Sequence, residues 1–202
     1  MPTVTNDPRL REELQQFAST ILSIAPLAAD DNWFVNDFAC VADTAGTSVT
    51  SMDTGDMVTA ACPGYPVVPV AVVTPDTSSD DWTSVTVAIT GIDQFGDAIT
   101  DTITATGSSG ARTATASHAF LSLATIDVTI EGTVDTADVT KVGFVKTIGL
   151  TRTISKSGDV TVKIFDSAVD AGTVSIPFAT YVIAGTPDAI KRLILNVRPT
   201  YR

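Results

Sequence analysis

Period-two alternation of β-branched residues restricts this chain more than any other feature of its sequence. Val85, Val87 and Ile89 alternate with Thr86, Ala88 and Thr90. After Asp93-Gln94-Phe95-Gly96-Asp97 the pattern resumes, with Ile99, Asp101 and Ile103 set against Thr100, Thr102 and Thr104. Successive residues of a strand point to opposite faces, so each run makes a ribbon with one apolar side and one hydroxyl side. The Gly-containing loop between the runs predicts a hairpin. Ile126, Val128 and Ile130 repeat the alternation against Asp127, Thr129 and Glu131, and Leu193, Leu195 and Val197 form the last such run. A helix has no use for a period of two.

Weaker signals fill in the rest. Residues 47–61 hold short, poorly patterned strand candidates. Val67 to Val73 is a compact apolar run interrupted by Pro69, which predicts an edge position or a bulge. Val142 to Ile148 is a further strand. Leu150, Arg152 and Ile154 lead into Ser157-Gly158-Asp159, and Val160, Val162 and Ile164 return from it, which predicts a second hairpin. Val174, Ile176 and Phe178 form a strand broken by Pro177. Thr supplies about one residue in six, and its stiff χ1 suits a pleated surface. About ten short strands separated by turn signals predict an all-β chain, an antiparallel β-sandwich of Ig-like or jelly-roll-like type.

One segment reads differently. Asp7 is a good N-cap and Pro8 suits the first helical position. Leu10, Leu14, Phe17, Ile21 and Ile24 follow a 4-3-4-3 spacing, and Pro26 stops the pattern. A helix is expected from Asp7 to Ile24, packed on the protein's own β body or laid as an arm on a neighbouring subunit. The expected organisation is an N-terminal helical arm over residues 1–30 and a β body over 31–202, with a candidate subdivision near 146–149.

Charge narrows the partners. The 202 residues carry 12 Lys+Arg against 23 Asp+Glu, a formal net charge of −11. No Lys or Arg lies between Arg11 and Arg112, so residues 1–111 sum to −13 and residues 112–202 to +2. Phosphate binding needs a basic surface, so nucleic acid is not an expected partner. Hydrophobic residues make up 44% and charged residues only 17%, the opposite of an acidic disordered chain. No apolar run approaches the roughly 20 residues of a membrane helix, and no membrane partner is expected. The first residues lack a signal-peptide pattern, so synthesis in a cytoplasm is expected.

A search for reaction chemistry finds no constellation. His118 is the single histidine and sits among small and apolar neighbours in Ala116-Ser117-His118-Ala119-Phe120. A serine-protease-like triad would depend on it alone, and no serine stands in a nucleophile-elbow pattern. Cys40 and Cys62 read as two separate buried thiols rather than a bridge. Asp53 with Asp56, Asp76 with Asp80 and Asp81, and Asp93 with Asp97 and Asp101 crowd loops. Such aspartates usually hydrogen-bond their own backbone, and none matches a spaced Ca²⁺ loop. A structural Ca²⁺ at a subunit contact is the alternative. Gly107-Ser108-Ser109-Gly110 lacks the spacing and Lys of a phosphate loop. No catalytic residue, cofactor or metal site is expected, and the chain is not expected to be an enzyme.

From Val85 to Gly107, and again from Ala119 to Val128, the sequence resembles a module that recurs in structural proteins of tailed bacteriophages. That module has a strand ending in Gly, an Asp-Xaa-Phe-Gly type loop, an acidic residue and a Thr-rich second strand. A variable loop then leads to a Phe and a strand rich in Val, Ile and Thr. Here these are Gly91, Asp93-Gln94-Phe95-Gly96-Asp97, Phe120 and Ile126, followed by a Val142-Gly143 step. The likeness covers a quarter to a third of the chain. It departs at Leu121 and Leu123, which are bulkier than usual, and does not extend to the N-terminal third.

The resemblance implies a virion component made in the bacterial host cytoplasm. Its most specific form is a capsid cement or decoration protein on the head, trimeric, whose partners are the major capsid protein and copies of itself. A connector, tail or fibre component and a glycan- or host-surface-binding module are the alternatives. The expected contacts are Leu10, Leu14, Phe17 and Ile21 together with the cationic residues Lys191, Arg192, Arg198 and Arg202. In the β body, Phe120 and Ile126 are expected to cover the apolar face of Val85, Val87, Ile89, Ile99 and Ile103.

Overall fold

A computed structural model describes residues 20–76, 82–106 and 110–198. These residues form fourteen strands in two antiparallel sheets, a sandwich-like all-β architecture. In chain order the strands are β1 (Thr20–Ile24), β2 (Asp30–Ala39), β3 (Asp43–Met52), β4 (Val67–Thr74), β5 (Ser84–Asp93), β6 (Ala98–Thr104) and β7 (Arg112–Thr115). They continue as β8 (Phe120–Val134), β9 (Val139–Gly149), β10 (Val160–Phe165), β11 (Ala168–Val169), β12 (Thr173–Ser175), β13 (Thr180–Val182) and β14 (Leu193–Val197).

The larger sheet has ten strands and is built as two leaves. One leaf runs β6-β5-β8-β3. The other centres on β9, with β4 and then β7 on one side and β2 and β13 sharing the other. The pair Val67 with Phe120 joins β4 to β8, and a bridge between Thr106, just past β6, and Thr113 of β7 also links the leaves. Val85, Val87, Ile89, Ile126, Val128 and Ile130 from the first leaf are fully buried. They belong to the same cluster as Phe34, Ala71, Val142 and Phe144 from the second. Outward positions such as Thr86, Thr90, Thr100, Thr102 and Thr129 meet water or lie half-buried, as a one-sided antiparallel sheet predicts.

The alternation locates β5, β6, β8 and β14 correctly, and the β5–β6 hairpin pairs Ile92 with Ala98 across its loop. Phe120 and Ile126, however, do not lie over the β5 face. Ile126 pairs directly with Ile89, and Phe120 with Asp93, so both extend that face sideways within one sheet. The face is covered instead from the second leaf.

Pro69 sits at a register shift between Val67 and Pro69, which is the expected bulge. The edge alternative is corrected: β4 has β9 on one side and β7 on the other, and β7 pairing begins at Val70, just past the proline. The missing N–H of Pro69 therefore falls where the ladder is already interrupted, while its carbonyl still accepts from Ala116 N at 2.9 Å.

The second expected hairpin does not form. Residues 150–156 make no strand, and β10 pairs with β14 and β11. The reason is Asp159, whose buried carboxylate accepts from Ser155 N at 2.9 Å, Lys156 N at 3.1 Å and the Ser155 hydroxyl at 3.1 Å. Those bonds wind residues 155–159 into a compact turn that ends as the short 3-10 segment Ser157–Asp159. Pro177 breaks its strand as expected, leaving β12 and β13 on either side of a turn. Residues 146–149 lie within β9.

The smaller sheet has the order β1-β14-β10-β11. Here the helix expected from Asp7 to Ile24 is corrected for its last five residues. Thr20–Ile24 is a strand, paired from Thr20–Val197 to Ile24–Leu193. Ile21 and Ile24 fit a helical spacing, but Leu22 and Ile24 also fit a period of two, and β14 offers Leu195 and Leu193 opposite them. Residues 7–19 lie outside the described residues.

Candidate docking surface at the hairpin end

The loop of the β5–β6 hairpin is organised by its own aspartate. Asp93 Oδ1 accepts from Phe95 N at 2.8 Å and from Asp97 N at 2.9 Å. Gly96 takes the positive φ of +93° that closes the turn. Gln94 points inward and is buried, and its Nε2 donates to Phe178 O at 2.9 Å and Ala179 O at 3.1 Å. The hairpin loop is thereby fastened to the turn between β12 and β13. Its Oε1 is buried without a hydrogen-bond partner, pressed against Gly149.

With the backbone held in this way, the loop end presents apolar side chains to solvent. Phe95 is 43% exposed, Leu121 42% and Ile92 37%. Leu121 joins them because Ile92 pairs with Ser122 and Asp93 with Phe120, which places an extra β8 residue at this end. Two hollows flank the hairpin and share Ile99. One, of about 340 Å³, is floored by Gly91, Ala98, Ser122 and Ala124 beside Ile92. The other, of about 230 Å³, lies between Phe95, His118 and Phe178. Isolated exposed apolar residues are ordinary, but three gathered around one loop with flanking hollows have the character of a contact surface.

His118 lies in the second hollow. Its Nδ1 is 3.1 Å from Asp101 Oδ2, and its ring meets Phe178 edge-on at 4.9 Å. Asp101 faces inward from β6, buried, and also accepts from Ser117 N at 2.7 Å and His118 N at 3.0 Å. This pair was not evident from sequence, since Asp101 and His118 are 17 residues apart. With Asp101 Oδ2 engaged by two backbone amides and the imidazole, the arrangement holds residues 117–118 against β6.

The other acidic groups also fold onto their backbone. Asp53 Oδ1 accepts from Gly55 N at 2.6 Å, and Asp56 Oδ2 from Asp53 N at 3.0 Å. Asp76, Asp135 and Asp138 bring carboxylate oxygens within 4.8 Å of one another. Two of the three carboxylates already serve amides: Asp138 takes Asp76 N and Asp135 N at 2.9 Å each, and Asp135 takes Ala137 N at 2.7 Å. Asp80 and Asp81 lie outside the described residues. Cys40 and Cys62 are free thiols, Cys40 buried and Cys62 half-buried. Burial pushes the Cys62 thiol up to about 12, against the lowering effect of a backbone hydrogen bond.

Of the eight residues singled out in sequence as contacts, four are described, and all four lie on or beside the β1–β14 pair. Ile21 is 68% exposed on β1. Lys191 and Arg192 precede β14 and Arg198 follows it. The five residues of β14 separate Arg192 from Arg198, six steps of extended chain or roughly 20 Å, so the cations sit at opposite ends of one strand rather than in one patch. Lys191 pairs with Asp188 at 3.5 Å and Arg192 donates to Ser23 Oγ at 2.8 Å. Leu10, Leu14, Phe17 and Arg202 lie outside the described residues. Among the described residues no helix is long and apolar enough to cross a membrane.

No protein-family model, curated protein or solved structure matches the chain.

Proposed function

We propose that the chain is a structural subunit of a tailed-bacteriophage virion, a cement or decoration protein that stabilises the head by bridging capsid subunits. One observation carries the reading. The segment that resembles the phage module is also the segment whose loop end displays Phe95, Ile92 and Leu121. The residues that define the likeness serve the scaffold: Asp93 and Gly96 build the turn, and Phe120 and Ile126 are fully buried. What the module offers outward is therefore a contact surface.

The mechanism is area burial at subunit seams. Apolar area contributes about 25 cal/mol per Å², and an interface of ordinary size repeated over a lattice gains further through multivalency. The cationic ends of β14 would meet acidic surface on the major capsid protein or a second copy, and the acidic remainder would face water. A local three-fold site on the lattice would suit a homotrimer. Within the sandwich class we read the fold as Ig-like or jelly-roll-like.

Quantitative mass spectrometry of particles from a phage that encodes this chain tests the reading. Copy numbers in the hundreds per particle, lost when Ile92, Phe95 and Leu121 are together replaced by Ser, are expected. Tens of copies or fewer would move the protein to the connector, tail or fibre. Absence from the particle would overturn the virion reading.

A further inference from the structure

A strand at a sheet edge leaves a row of backbone N–H and C=O groups unpaired, and folded proteins guard such rows against other chains. Most edges of this fold are guarded. β7, β11 and β12 are four residues long or less, and β1 has five. β2 is bent by two register shifts, carries Asp30, Asp31 and Asp37, and holds Asp37 at a φ of +48°. β6 turns the buried carboxylate of Asp101 inward, and just past its end Thr106 bridges to Thr113.

β3 has none of these devices. It is ten residues long, and its register with β8 is unbroken from Gly46–Gly132 to Met52–Ile126. Among the described residues β8 is its one partner strand, and no other backbone hydrogen bond reaches Gly46–Met52. The run from Thr44 to Met52 contains no Lys, no Pro and no charge. Ser48, Thr50 and Met52 are buried on the inner side, so Thr47, Val49 and Ser51 face out. Val49 is 50% exposed and Val41 54%. Val41 borders the strand, since its N–H donates to the Thr50 hydroxyl at 2.8 Å and its carbonyl accepts from the Ser48 hydroxyl.

We propose that the free edge of β3 pairs with β3 of a second copy of this chain, antiparallel, across a two-fold axis at Val49. The leaf β6-β5-β8-β3 of each copy then continues into the other. Charge selects the occupant. The chain carries a net charge of −11, so two copies repel over most of their surface. Along Thr44–Met52 their backbones can approach without setting like charges opposite each other. With Val49 on the axis, Thr47 faces Ser51 of the second copy and Ser48 faces its Thr50. Hydroxyl pairs and a β-branched pair are favourable cross-strand neighbours. The flanking Asp43 and Asp53 fall two residues out of register with each other, so no carboxylates stand directly opposite. An isologous contact needs one self-complementary patch, which this edge supplies. Its two-fold symmetry sets it apart from the three-fold contact of the virion reading, on which it does not depend.

Seven paired residues span roughly 24 Å of strand. That is short of the about 800 Å² per partner of a lasting complex, so the dimer is weak. Sedimentation of the full-length chain tests the proposal, read between about 1 μM and 1 mM, the range of weak association. A monomer–dimer equilibrium is expected. Val49→Lys sets two cations opposite each other on the axis and should raise the dissociation constant at least tenfold, with the melting temperature of the dilute monomer unchanged. Val49→Cys should oxidise to a disulfide-linked dimer faster than Val169→Cys, which is 87% exposed on the smaller sheet. A monomer at every concentration would overturn the proposal and leave the edge to the strand of a different protein. A dimer that Val49→Lys leaves intact, or equal oxidation of the two cysteine variants, would place the contact elsewhere and overturn it as well.

Discussion

Gly91 lies flat against the carbonyl of Ser122, so close that a Cβ on residue 91 would overlap that oxygen and crowd the Phe120 ring. The contact sits at the register shift where β5 pairs Gly91 with Leu123 after pairing Thr90 with Thr125. The terminal Gly of the first strand is thus a packing requirement. Gly91→Ala is expected to destabilise by about 1–3 kcal/mol, as overpacking does. At this chain length that lowers the melting temperature by roughly 2–12 °C. Gly158→Ala, where a Cβ meets open space, is the control and should shift it little.

Gln94 fastens the hairpin loop to the Phe178–Ala179 turn through two carbonyls. Gln94→Ala removes both donors and leaves a void, so a loss of about 1–3 kcal/mol is expected in denaturant unfolding. Gln94→Glu should lose more, because a carboxylate placed against two carbonyls cannot donate to them. Equal stability of all three proteins would refute the assignment.

Asp159 gives the fold a dependence on acid. Burial raises its pKa, but the amides of Ser155 and Lys156, the Ser155 hydroxyl and the Lys156 charge outweigh that and hold it below the ordinary carboxylate value. A depressed folded value means that the charged group stabilises the fold above the unfolded pKa of about 3.9 and loses that contribution as pH falls through the folded value. Wild type should therefore exceed Asp159→Asn in melting temperature at pH 7. The gap should close as the pH is lowered past about 4.

The two thiols should be inert in the folded protein. Cys62 donates to Phe120 O at 3.0 Å, and burial pushes it up to about 12. Burial also raises Cys40, outweighing its bonds to Thr140 and Thr50. At pH 8 the Cys62 thiolate fraction is then on the order of one in ten thousand. Alkylation of the native protein should be at least a hundredfold slower than of the urea-unfolded chain, measured by mass. Rapid labelling of the native state would contradict this burial.

The parts of the fold that could be read in sequence are those where local pattern and tertiary pairing agree. Val85, Val87 and Ile89 alternate because they line a core, and Gly96 sits where the turn needs a positive φ. Errors arose where a local pattern had two solutions and a distant residue chose between them. Ile21 and Ile24 suit a helical stripe until Leu193 and Leu195 claim Leu22 and Ile24. Val160 to Ile164 looks like the return of a hairpin until Asp159 ties up its turn and β14 takes the strand. Pro69 signals an edge but occupies a bulge in a strand paired on both sides. Of the docking surface, the loop residues were visible as a motif. The outward turn of Leu121 and the meeting of His118 with Phe178 depend on register and on a turn 60 residues away, which no local pattern carries.

The pairing of Thr20 with Val197 has a temporal consequence. During synthesis, β1 leaves the ribosome long before β14 exists, and β10 is made without its central neighbour. Domains tend to fold as whole units when synthesis proceeds from the N-terminus. The larger sheet can assemble once β13 has emerged, but the smaller one must wait for residues 193–197. Until then Leu22 and Ile24 have no place to pack and a strip of core beneath β14 stays open to water. Closure across so long a stretch of chain is slow, since contacts of high sequence separation delay folding. The smaller sheet therefore cannot close before residues 193–197 have left the ribosome, because β14 is the strand that lies between β1 and β10.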